Sequence, residues 1–288
     1  MDDEEAYILL LLSDGNLPTG SFVASAGFES YVTHGFLSVL GTSGPNAKLQ
    51  ATTDFIEDSL STYARSALPF VSDAHSIIEQ HLSSSENDLK STLSKLLALD
   101  DLYEAMTLNH VARRASQSQG VALLTLYSKG FSRPPTSDDA PDTRETAASE
   151  LIDAFKLTIR REETPGHLPV CWGVLTASLG LSLDRSQFLH LFLHARSLLS
   201  AAVRMNTIGP YAAQQLLLHS VRPLANEAVN RCRGLRTGLR TVPESDCDGI
   251  QELFDEDMLT SNGPAMTWPL GEILAARHDL QHSRIFNS

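Results

Sequence analysis

The stretch Trp268-Pro-Leu-Gly-Glu-Ile-Leu-Ala-Ala-Arg-His-Asp-Leu-Gln-His-Ser-Arg-Ile-Phe-Asn-Ser288 sets the reading of this chain. Pro269 suits a helix start, because its fixed φ belongs in the first turn and the N–H it lacks would be unpaired there. Ile273, Leu274, Arg277, Leu280 and Gln281 then recur at helical spacing and share one stripe. Beyond them, Arg284-Ile285-Phe286 puts a guanidinium beside an aromatic ring. Terminal segments usually fray, so a phenylalanine here implies a tail that docks, either on its own body or on a partner. Arg and aromatic side chains are the types enriched at interface anchors.

The helical period extends outward over nearly the whole sequence. Acidic residues at 2–5 suit a helix N-terminus, and Gly15 with Pro18 stops the helix that follows. A second helix is expected from about Thr19 to Gly35. A long one runs from about Leu49 to Ala67, is interrupted by Pro69, and is followed by another to His81. Further helices read at 89–99, 102–114, 121–127, 147–161, 168–180, 184–204, 210–219 and 222–236, with Gly180 as a C-cap and Asp184 as an N-cap. Strand-like alternation never persists. The expectation is one all-α domain over residues 1–288, a bundle of about ten helices with two mobile insertions. Residues 132–146 are polar with three prolines. The other insertion, 240–262, contains seven acidic residues and no Lys or Arg between Glu244 and Asp257.

Composition excludes several function classes. At 42% hydrophobic and 20% charged the chain is ordinary globular material. A net charge of −13 argues against nucleic acid and anionic membranes as partners. The apolar run Tyr7–Leu12 is too short to span a bilayer, and the acidic residues before it are the wrong charge for a signal peptide. Three cysteines without a Cys-x-x-Cys pair fit a reducing, cytoplasmic setting. There is no phosphate-cradling glycine loop and no G-x-S-x-G elbow, so no catalytic residue is assigned.

His190 and His194 stand one helical turn apart, a metal-capable spacing, yet no Cys or carboxylate is positioned as a third ligand. They are read as satisfied helix-face histidines. The rival reading, an all-α metal-dependent hydrolase, would use this pair with a distant carboxylate. Arg113 and Arg114, with Glu104 nine residues before Arg113, read either as a partner groove or as a solvated helix face.

Three stretches carry a family resemblance. The tail is similar to a closing run S-A-R-H-x-x-Q-x-S-R-L-F-x-S. Leu11-Leu-Ser-Asp-Gly-Asn-Leu-Pro-Thr-Gly-Ser-Phe22, with Ala26-Gly-Phe-Glu29 after it, matches an L-x-S-x-x-L-P-[VT]-G-x-[FY]…x-G-[LF]-E opening. Gly209-Pro-Tyr-Ala-Ala-Gln-Gln-Leu-Leu217 matches a G-x-x-A-A-Q-x-x-L helix. In that order they resemble the urease accessory protein F family, UreF. The resemblance implies a non-enzymatic helical homodimer that binds the UreD/UreH-type accessory protein and recruits the GTPase UreG, whose hydrolysis it regulates. The assembly delivers nickel to apo-urease, with no cofactor held by this chain. By the same resemblance Leu17, Pro18, Gly20, Phe22, Glu29, Gln214, Arg277, His278, Gln281, Ser283, Arg284 and Phe286 bind partners. The small face of Gly209, Ala212 and Ala213 is expected at the dimer contact.

Overall fold

A computed structural model describes residues 3–37, 45–84, 88–132, 142–239 and 263–288. Most of both expected insertions, 133–141 and 240–262, falls outside the described residues. Residues 143–146, expected in the first insertion, instead open a helix behind Asp142.

The element order is α1 (Asp3–Leu12), α2 (Phe28–Thr33), α3 (Pro45–Ser83), α4 (Leu89–Met106), α5 (His110–Leu126), α6 (Thr143–Arg160), α7 (Leu168–Ser178), α8 (Leu183–Arg204), α9 (Pro210–Leu216), α10 (Arg222–Cys232) and α11 (Pro269–Ala276). Single π-type turns at Tyr127–Phe131 and Leu217–Val221 extend α5 and α9. No β-strand occurs among the described residues. The fold is all-α.

Helix α3 is the axis. Phe55, Ile56, Leu60, Ala64, Ala67, Leu68, Val71, Ala74 and Ile78 recur along it and are all buried. Its most extensive neighbour is α7, with α8, α10 and α4 around it and α5 against the far side of α7. Helix α7 is buried from Pro169 through Ala177, as befits a helix apolar all round. Glycine sets the closeness of the α3–α7 crossing: a Cβ on Gly173 would lie 2.7 Å from the Val71 carbonyl oxygen and 2.8 Å from Ala74 Cβ. Gly120 plays the same part for α5, where a Cβ would reach within 2.2 Å of the Gly166 carbonyl oxygen.

Several boundaries differ from the sequence reading: α4 runs through the break expected at 100–101 and α5 through the one expected at 115–120, and three other differences have a local reason. Pro69 does not interrupt α3, which runs on to Ser83. The proline removes the N–H that would bond to the Arg65 carbonyl, and that oxygen instead accepts the Ala265 N–H at 3.4 Å. The helix expected over 102–114 is broken at 107–109. Asn109 caps α5 by accepting the N–H groups of Val111 and Ala112, and Arg113 donates back to the Thr107 and Glu104 carbonyls at the end of α4. The helix expected over 19–35 is a short 3-10 turn, Ser21–Val23, followed by α2. Ala26 (φ 47°) and Gly27 (φ 87°) are left-handed and end any helical run.

Two caps also shift by a residue or two. Leu179 is the C-cap and Gly180, at φ 76°, sits one residue beyond it. Ser182, not Asp184, is the N-cap of α8, and its N–H and hydroxyl donate to Glu5 of α1.

The Gly173 crossing yields a prediction. Gly173→Ala should destabilise the chain by about 1–3 kcal/mol through overpacking, lowering the thermal midpoint by roughly 2–10 °C. An unchanged midpoint would show that α3 and α7 can part without cost.

Candidate functional site

The sequence motifs at the two ends of the chain meet in one seam. The left-handed turn at Gly27 lets α11 lie directly over the start of α2, where a Cβ would stand 3.1 Å from the Ala275 nitrogen. Trp268 packs edge-on against Phe55 of α3, with ring centroids 5.0 Å apart. Thr267 N–H donates to the Thr62 hydroxyl, and the Asn109 amide donates to the Glu272 carbonyl. The C-terminal segment is thereby tied to α2, α3 and α5 before its last turn begins.

That last turn is docked on the protein's own body. Glu29, 2% exposed, accepts the Ile285 N–H at 2.6 Å and the Phe286 N–H at 3.3 Å. Asn287 N–H donates to the Val23 carbonyl. Gln281 donates to the Ser30 hydroxyl, and Arg277 Nε donates to His34 Nε2, whose Nδ1 faces the Ser30 carbonyl oxygen. The Phe286 ring is buried beneath the Arg204 guanidinium, 5.0 Å from the ring centre. His278 is fully buried with Nδ1 3.7 Å from the Glu29 carboxylate. Burial pulls the His278 pKa down despite that neighbour. On the outer side Asp279 receives Arg114 through both oxygens and also meets Arg284 and His110. The Arg114 hydrogen bond holds the Asp279 carboxyl down at about 2.

The site residues named from sequence therefore divide. Glu29, His278 and Phe286 lie inside the seam, and Gln281 spans it. Arg277, Ser283 and Arg284 face outward. Leu17 is half-buried, Pro18 exposed, and Gly20 left-handed at φ 73°; the Phe22 side chain lies outside the described residues. On α9, Gly209 and Gln214 are exposed, Ala212 is half-buried and Ala213 faces the core. The exposed face of α9 carries Tyr211 and Leu218 instead, at 88% and 59% exposure. Sequence reasoning missed Asp279 and the packing of Arg204 over Phe286. The signal available for Asp279 was its place between His278 and Leu280 on a stripe already read as docking.

His190 and His194 line a partly open pocket of about 220 Å³ that also reaches Leu17, Ser197 and Trp172. Tyr63 Oη is in hydrogen-bond contact with His190 Nε2, and Ser59 Oγ with His194 Nε2, each at 2.9 Å. The Tyr63 ring stacks on both imidazoles. Burial pushes the His190 pKa down to about 3 and that of His194 to about 4, so both rings are neutral at pH 7. Among the described residues no three His, Cys, Asp or Glu side chains stand together as a metal site. The pair lacks, among those residues, the carboxylate that the hydrolase reading requires.

A second interior network, which the sequence reading missed, fixes the entry to α7. Asp100, fully buried, accepts the Thr164 hydroxyl and the Gly166 and His167 N–H groups at 2.6–2.8 Å. Glu104 meets His167 Nε2 at 2.7 Å and Arg113 at 2.9 Å. Arg113 is thus part of an internal brace.

Fold and seam together define an all-helical chain whose terminal motifs close on one another and whose buried polar groups serve structure. Comparison with known sequences agrees. The UreF family model matches residues 48–221. Urease accessory protein 6 of Cryptococcus neoformans var. grubii is 42% identical across 99% of this chain and 98% of its own. A urease accessory protein UreF-like chain of Schizosaccharomyces pombe is 28% identical over 99% of this chain and 97% of its own, and UreF of Paenarthrobacter aurescens is 29% identical over 72% and 74%. The chain belongs to the UreF family of urease accessory proteins. That family is an accessory one, not a catalytic one. No helix among the described residues is long and apolar enough to cross a membrane.

The buried histidines predict a pH dependence. Unfolded imidazoles take up protons near pH 6.5, whereas the folded rings do so only near 4 and 3. In between, the unfolded state binds more protons, so stability falls as pH drops from about 6.5 towards 3. Denaturant titrations at pH 7 and pH 5 should show this loss, and His190→Gln/His194→Gln should lose less over the same interval. An equal loss in the double variant would mean that these rings do not carry the effect.

Proposed function

We propose that this chain acts in urease maturation as an adaptor between the UreD/UreH-type accessory protein and the GTPase UreG, within an assembly that delivers nickel to apo-urease in the cytoplasm. The observation that carries the reading is the outer side of the docked tail. Leu280 and Ile285 are exposed there at 77% and 54%, beside the outward-facing Arg277, Ser283 and Arg284. On α11 and the α4–α5 break, Ile273 and Leu108 add exposures of 58% and 83%. Exposed apolar side chains rimmed by charge mark protein-binding surfaces.

Self-association fits the exposed Tyr211 and Leu218 of α9, seven residues apart on one helical face. An isologous pair would then offer each partner surface twice. The effect on UreG is conformational in this reading, and nickel is handled by the assembly. Arg113, Arg114 and Arg204 are engaged within the chain, Arg113 with Glu104, Arg114 with Asp279 and Arg204 over Phe286, which disfavours their use as an arginine finger. A finger would raise hydrolysis by roughly three to five orders of magnitude.

Co-purification with the UreD/UreH-type partner, read by light scattering, tests the adaptor. The wild-type chain should form a complex containing two copies of itself. Leu280→Glu/Ile285→Glu should lose the complex while keeping its melting temperature, since both side chains point outward. Equal capture of the double variant, or a chain that stays a 31.4 kDa monomer throughout, would contradict the reading. Single-turnover GTP hydrolysis by UreG should change by far less than a thousandfold, and a larger stimulation lost on changing one arginine would establish a finger.

A further inference from the structure

Glu29 is a carboxylate almost wholly removed from water with no Lys or Arg against it among the described residues. A buried charge of that kind persists only where hydrogen bonds replace its hydration. Here the replacements are two main-chain donors from the far end of the chain, Ile285 N–H and Phe286 N–H. Charge-assisted bonds of this type are stronger than neutral ones. The side-chain groups gathered at this seam are His278 Nδ1, at 3.7 Å from the carboxylate, and the Ser30 and Gln281 pair.

Main-chain anchoring has a directional consequence. Fixing the nitrogens of two successive residues fixes the backbone from which their two side chains project. Phe286 goes inward under Arg204, and Ile285 goes outward, as their exposures of 3% and 54% show. Arg284, next along, is held on the outer side by Asp279. A carboxylate lying inside the seam therefore decides what the surface presents.

From this geometry we infer that Glu29 is a positioning residue. It does not touch the partner but holds residues 284–286 in the one register that presents the tail's outer face. The inference rests on the adaptor reading above and assigns Glu29 a part in it that the family motif alone does not.

Hydrogen exchange on the full-length chain, combined with capture of the UreD/UreH-type partner, separates the two levels. In the wild type the amides of Ile285 and Phe286 should exchange slowly. In Glu29→Gln, where a neutral amide replaces the carboxylate, they should exchange at least tenfold faster while amides of α3 and α7 stay as slow as before. Partner affinity should fall about tenfold alongside. Glu29→Asp, which keeps the charge but withdraws it by one methylene, should give the same pattern in smaller measure and serves if the glutamine variant fails to fold. Leu280→Glu should lose the partner with its tail amides still protected.

Protection at 285 and 286 that survives both Glu29 substitutions would overturn the anchor. Faster exchange with undiminished partner capture would overturn the positioning role. A wild-type chain that captures no partner would instead bring down the adaptor reading, and the role built on it, while the exchange data still reported the anchor.

Discussion

The approach of α3 to α7 at Gly173 is the constraint on which the other contacts depend. With only a hydrogen at that position, the α3 backbone at Val71 can lie against α7 at a distance no Cβ would allow. This sinks α7 into the centre, where an all-apolar helix belongs, and leaves α8, α10 and α4 to close around α3. The same helix gives up one internal hydrogen bond at Pro69 and offers the freed Arg65 carbonyl to Ala265. A residue that would ordinarily disrupt a helix thus becomes an attachment point for the C-terminal segment.

Several polar groups inside the bundle are matched by groups from a distant part of the chain, whereas neither ring nitrogen of the buried His278 has a hydrogen-bond partner among the described residues. Asp100 of α4 closes the turn into α7, Glu29 of α2 holds residues 285 and 286, and Tyr63 and Ser59 of α3 meet the two α8 histidines. Such pairings are weak evidence of net stability, but removing either partner strands the other in a low-dielectric interior. Polar contacts of this reach specify which helices are neighbours, something apolar burial does only loosely.

Much of the helical content was legible from periodicity alone, and α6, α7, α8 and α11 begin or end within a few residues of the reading. The failures have a shared cause. Pro69 and the 107–109 break turn on hydrogen bonds made or freed by particular side chains, and the supplier of the partner group lies far away in sequence for Pro69. Ala26 is left-handed without being glycine, which no propensity indicates. At the site, sequence brought the right residues into view but not their sides. Glu29, His278 and Phe286 were grouped with Arg277, Ser283 and Arg284, because periodicity cannot say which face of a docked non-helical segment turns inward. Asp100 was invisible because a buried aspartate in an apolar run looks like a solvated one until its donors, Thr164, Gly166 and His167, are placed beside it.

The account turns on the tail being part of the folded chain before any partner arrives. Glu57 of α3 and Ser283 of the tail are both exposed, and spin labels at Glu57→Cys and Ser283→Cys, in a background carrying Cys247→Ser, would report their separation in the isolated chain by double electron–electron resonance. A docked tail predicts one narrow distance distribution, left unchanged when the partner is added. A broad distribution that narrows only with the partner would contradict it.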